Sequence, residues 1–224
     1  MAEEMINDMT PAEAGDLLKK MRAIASDLWR EPPEDIAAEP KEQVKQPVRS
    51  VVRTTKFGID NLWMTADETI DWTDALAHEW PSDSLTSIAM WKFYHRNAEA
   101  VLNGDVNAYA EVLRKANPLG ELMEYADDIT MRTPDPDRVE AVFSASGDHM
   151  DQDGKKYLSA MGVRIARDLM ACLPVSEVKV TATYRNRLVM EVVYRRDQLL
   201  HRNFSFLDPV ALTEECGAVF GASV

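Results

Sequence analysis

The stretch REPPEDIAAEPKEQVKQPVRS, from Arg30 to Ser50, limits what this chain can fold into more than any other. Proline fixes its own φ and has no amide hydrogen, so positions 32, 33, 40 and 47 interrupt any helix or central strand. Charged residues fill the gaps, and without aromatic side chains the stretch cannot offset the entropy of ordering by burial. An extended linker is expected over residues 31–55. Ahead of it, Thr10-Pro11-Ala12-Glu13 has the form of a capping box. Ala14, Leu17, Leu18, Met21, Ile24 and Leu28 follow at spacings of three and four. That pattern predicts an amphipathic helix within residues 1–30. Its apolar stripe docks either on the chain's own core or on a partner, a second copy of the chain included.

The body begins near Lys56 and changes period once. Thr65-Ala66-Asp67-Glu68 reads as a second capping box, opening a short helix through Trp72 and Leu76 that ends by Pro81. Ser84 opens a longer helix through Ile88, Trp91, His95 and Leu102, with Gly104 where a C-terminal cap is wanted. Asp105 caps a helix through Tyr109 and Leu113; Asn117-Pro118 closes it and opens another through Leu122 and Tyr125. Then Ile129 and Met131, and after them Val139, Ala141 and Phe143, alternate with polar neighbours around TPDPD, a hairpin pattern. A polar loop, a long helix, strands over 177–184 and 188–195, and a short helix opened by Asp208-Pro209 complete the order. The expected fold is α+β. A helical subdomain spans 56–126, and over 127–224 a small antiparallel β-sheet carries one long helix packed across it.

The last two strands admit two registers. A two-residue loop at Arg185-Asn186 pairs Tyr184 with Arg187 and sets Val180 opposite Glu191. A three-residue loop pairs Ala182 with Met190, Val180 with Val192 and Val178 with Tyr194, leaving one face wholly apolar. A one-residue slip exchanges the faces, so burial favours the second register. Its cost is left-handed backbone at Arg187.

Within the long helix, RIARDLMACLPV (Arg164 to Val175) carries two arginines and an aspartate and stops at Pro174. Leu158, Met161, Gly162, Ile165, Leu169 and Cys172 share one face, while Lys156, Ala160, Arg164, Arg167 and Ala171 lie largely on the other. This predicts a helix packed on the sheet with its arginines solvated, Arg164 pairing weakly with Asp168 four residues on. Together with VLNGDVNAYAEVLRKANPLGELMEY and FLDPVAL, this motif resembles a family of uncharacterised bacterial proteins met in mobile-element neighbourhoods, over about residues 67–224. The family has no assigned activity, so the resemblance transfers no catalytic residue. Its members carry a longer insertion before the central helix, and a longer excursion in the last hairpin where this chain has only YRNR.

Charge narrows the function classes. A formal net charge of -13 opposes unselective binding to nucleic acid or a membrane surface. The acidic start MAEEMINDMT lacks a signal peptide's basic and apolar regions, which points to the cytoplasm. Against that background Lys179, Arg185, Arg187, Arg195, Arg196 and Arg202 form a basic island, interleaved with Tyr184 and Tyr194. GDHMDQDG lacks the first and twelfth ligands of a calcium loop. The letters of a metal-dependent nuclease, Asp135 or Asp137 with Glu177 and Lys179, are separated by a whole helix. The four histidines show no ligand spacing, and Cys172 and Cys216 read as free thiols in apolar surroundings. No cofactor or metal is expected. The candidates for interaction are Arg164, Arg167, Arg185, Arg187, Arg195 and Arg196. The expected role is a non-catalytic protein-interaction or accessory factor with a protein partner, the alternative being a nucleic-acid-binding or processing protein acting through the basic hairpin.

Overall fold

The computed structural model describes residues 58–81 and 86–221; the expected N-terminal helix, the linker and the start at Ser84 lie outside them. Local caps set the helices. Helix α1 (Trp72–Ala77) starts at Asp71, whose carboxylate accepts from the amides of Thr73 and Asp74. Helix α2 (Ile88–Leu102) starts at Ser87 and gives way to Gly104, whose φ of +75° suits glycine. Helix α3 (Val106–Ala116) runs from the Asp105 cap to Asn117, which takes the left-handed conformation. Asn117-Pro118 opens only a 3-10 turn, Gly120–Glu124. The capping box at Thr65 is not used: residues 65–71 run extended into α1, because Thr65 and Asp67 bond elsewhere.

Five strands follow in the spatial order β1 (Ala126–Asp135), β2 (Arg138–Ala145), β3 (Glu177–Tyr184), β4 (Arg187–Arg195) and β5 (Val219–Phe220). The α+β class holds, but the sheet is mixed rather than antiparallel. β2 and β3 run parallel, from Arg138 beside Glu177 to Ser144 beside Thr183, while the other three pairs are antiparallel. The connection explains the correction. Helix α4 (Gly147–Cys172) joins β2 to β3, and a crossover of that length returns the chain to the end where β2 began. Alternation in sequence reports a half-buried strand, not its direction.

The expected polar loop GDHMDQDG is instead the opening of α4. The helix breaks at Asp153 (φ -151°, ψ 79°) and resumes with the Asp153 carboxylate accepting the Lys156 amide at 3.1 Å. From residue 157 to 172 every side chain except Arg167 is buried. Packing there is close: a β-carbon on Gly162 would stand 2.7 Å from the Tyr194 hydroxyl, which is bonded to Thr213 at 2.8 Å. One hydrophobic cluster runs from Trp72, Trp91 and Tyr109 through Phe143, Leu158 and Tyr194. The boundary at 126/127 therefore separates kinds of element, not cores.

The β3–β4 hairpin combines both expected registers. Its turn is the two-residue one: Arg185 and Asn186 sit at φ 50° and 62°, and Tyr184 pairs with Arg187. Its body has the other register, with Ala182 beside Met190, Val180 beside Val192 and Val178 beside Tyr194. A bulge at Val189 absorbs the extra residue. The left-handed backbone thus falls on Arg185 and Asn186 rather than on Arg187, and asparagine tolerates it well.

Candidate functional site

Two charges of α4, Arg164 and Asp168, are turned away from water. Arg164 is 6% exposed and Asp168 is 0% exposed. Arg164 Nε donates to Asp168 Oδ2 at 2.6 Å and its Nη1 to Thr65 Oγ1 at 2.5 Å. The Asp67 amide donates to Asp168 Oδ1 at 2.8 Å, and the Asp67 and Glu121 carboxylates each stand 3.8 Å from the guanidinium. On the next position of the same face, Arg167 donates to the carbonyls of Trp63 (2.5 Å) and Thr65 (3.1 Å). Contrary to the expectation of solvated arginines, Arg164 is buried and Arg167 half-buried. The segment preceding α1 lies over this face, and its backbone needs donors and acceptors that α4 supplies.

The end of α4 is held the same way. Its last carbonyls have no intrahelical partner. Ile70 N–H donates to Ala171 O (2.9 Å), the Trp72 indole to Cys172 O (3.0 Å), and Arg196 to Met170 O and Leu173 O (2.7 and 2.6 Å). A third Arg196 bond, at 2.7 Å, goes to Val175 O. A cation at a helix C-terminus also complements the helix dipole. Arg164, Arg167 and Arg196 are thus framework residues.

Desolvation dominates the titration of this cluster. Burial pushes the Asp168 carboxyl up to about 7, against the pull of Arg164 and the Asp67 amide, and burial raises Asp67 as well. An unfolded aspartate titrates near ~3.9, so between about 4 and about 7 the folded chain holds more protons than the unfolded one. Stability from this group is therefore greatest on the acidic side and is lost as pH rises through that window. Thermal melts should show a wild-type Tm that rises as pH falls from about 8 to about 5, with a smaller rise in Asp168→Asn. Equal slopes in the two proteins would refute the assignment.

Arg167 also organises a second feature. Its guanidinium lies 3.7 Å from the centroid of the Phe204 ring, on the 3-10 turn Phe204–Phe206. The Asn203 side chain accepts from the Ser205 amide at 3.2 Å, Phe206 N–H donates to Asn203 O at 3.2 Å, and the Trp63 indole donates to Leu207 O at 3.0 Å. Asp208 then caps helix α5 (Pro209–Glu215) through the Val210 amide. Between these fastenings Phe206 is 89% exposed, more than any other large apolar side chain among the described residues. The sequence reading missed Phe206. Its only trace is the pair of aromatics in FSF just before Asp208-Pro209, one of which packs while the other cannot.

The basic island is largely spent within the chain. Lys179 pairs with Glu191 (2.8 Å), Arg195 with Glu177 (3.2 Å) and Arg202 with Glu215, while Arg196 serves α4. Arg185 and Arg187 alone of the six stand at the exposed hairpin tip, Arg185 over the Tyr184 ring at 4.8 Å. Parallel pairing does bring the nuclease letters together, since the amides of Ser176 and Glu177 donate to Asp137 O. The Glu177 carboxylate, however, is taken by Arg138 and Arg195. Among the described residues no group of histidine, cysteine and carboxylate side chains is placed to hold a metal. Both thiols are free, and burial pushes Cys172 up to about 12 and Cys216 to about 11. No described helix is long and apolar enough to cross a membrane. Comparison with family models, curated proteins and solved structures gives no match.

Proposed function

We propose that this chain is a non-catalytic protein-interaction factor of the bacterial cytoplasm, with Phe206 as the anchor its partner receives. The observation that carries this reading is an aromatic ring 89% exposed on a turn held on either side by Arg167 at Phe204 and the Trp63 indole at Leu207. Exposing such a ring to water gains nothing for the isolated fold, and a rigid aromatic pays little entropy on binding, which is why few such residues carry most of an interface. The internal use of Arg164, Arg167 and Arg196 supports the same reading, because their charge is committed to holding the turn and the segment before α1. The resemblance noted from the sequence would place the partner among the products of a mobile element.

Phe206→Ala tests the reading. The side chain touches little of its own fold, so the Tm should stay within the scatter of surface substitutions, roughly 0.5 kcal/mol. Tagged full-length chain recovered from its native cells should meanwhile lose its stoichiometric partner by a factor of about ten or more. Equal partner recovery with wild type and variant would remove Phe206 from the interface.

A further inference from the structure

We propose that the free edge of β1 is a self-association surface. A second copy of the chain pairs with it antiparallel, joining two five-stranded sheets about a twofold axis at Thr130. Among the described residues β1 ends the sheet and pairs with β2 alone. Among the described residues no backbone group outside the sheet bonds to it. Alternate N–H and C=O groups along such an edge point away from the sheet and form a template for another strand. Edges of chains that stay single are blunted by lysine, proline or bulges. β1 carries Pro134 and register shifts between Ala126 and Asp128 and between Arg132 and Asp135, so the regular part of the edge is confined to residues 128–132.

Self-complementarity identifies the occupant. With the axis at Thr130, Asp128 of each copy faces Arg132 of the other, and Ile129 of each faces Met131 of the other. Opposite charges and apolar pairs directly across antiparallel strands attract. Asp128 has no ion-pair partner among the described residues, and the exposed Arg132 is engaged only by Glu140 of β2. A groove lined by Ala110, Leu113 and Arg114 of α3 and by Met131, Arg132 and Thr133 of β1 adjoins the strand. The contact uses the same patch on both copies, so it closes as a dimer instead of propagating into a fibre. This surface is separate from the one that carries Phe206, and neither reading depends on the other.

Sedimentation velocity of the full chain tests it by charge reversal. Wild type should pass from monomer to dimer as concentration rises. Asp128→Arg and Arg132→Asp each set like charges opposite one another twice in a self-dimer, weakening association roughly tenfold or more. An equimolar mixture of the two should dimerise again, because each copy then meets only opposite charges. Circular dichroism melts establish that both variants fold. Should Arg132→Asp fold poorly, Thr130→Cys gives a second reading: mild oxidation should link it into a dimer faster than Thr181→Cys, which lies on the interior strand β3. A wild type that stays monomeric, including one that takes an added peptide on β1 instead, overturns the proposal. So does a dimer indifferent to both reversals, or a mixture no tighter than its components.

Discussion

Val180→Asp is expected to abolish cooperative unfolding of the described body, while Glu191→Ala, one position along on the facing strand, is expected to be tolerated. Val180 is 0% exposed, on the buried face of β3 beside Val192. Replacing it removes about 1.5–3 kcal/mol of apolar burial. It also leaves a carboxylate with no partner in the core, worth several kcal/mol more. The sum is comparable to the whole stability of a typical domain, about 5–15 kcal/mol. Glu191 lies on the other face, paired with Lys179 at half-exposed positions, and its loss should cost no more than about 1 kcal/mol. Urea titrations followed by tryptophan fluorescence compare the two. Were Glu191→Ala the more damaging, the observed hairpin register would not be the one that holds in solution.

The second large effect concerns the buried ion pair. Arg164→Met removes the counter-charge of Asp168 at a position of 0% exposure, so the carboxyl must take up a proton or stand charged without a partner. Removing one member of a buried pair costs about 3–5 kcal/mol. Replacing both partners, Arg164→Met with Asp168→Leu, should recover most of that loss, because no charge is then left in the core. Recovery should fall short by about 1–3 kcal/mol, since the Asp67 amide loses its acceptor. Denaturation midpoints of wild type, the two single variants and the double variant form the cycle that measures this. A double variant no more stable than Arg164→Met would mean that the arginine acts chiefly through Thr65 and the packing of its stem.

What was legible in the sequence followed from how local each device is. Asp105, Asn117 and Asp208 act on amides or conformations within a few residues: both aspartates cap the helices expected of them, and Asn117 ends α3, although the helix expected after Pro118 is only a 3-10 turn. The strands were legible because burial imposes a period of two, and so was the body register of β3 and β4. The parallel pairing of β2 and β3 was not, since direction depends on how α4 crosses. Nor was the burial of Arg164 and Asp168. A helical wheel assigns charges to water unless something distant covers them, and the cover here is Asp67, 101 residues from its acceptor. The bond from Arg164 to the Thr65 hydroxyl diverts Thr65 from the cap its neighbours suggest. Phe206 escaped because turns carry no periodicity against which an exposed ring would stand out.

Arginines build a frame, and the frame displays an aromatic ring. Site-specific photo-crosslinking in the native cells, from position 206 or from the hairpin-tip positions 185 and 187, tests this most directly. The prediction is a discrete protein adduct from 206 and none from 185 or 187. Adducts to nucleic acid from 185 and 187, with none from 206, would contradict it and return the function to the basic hairpin.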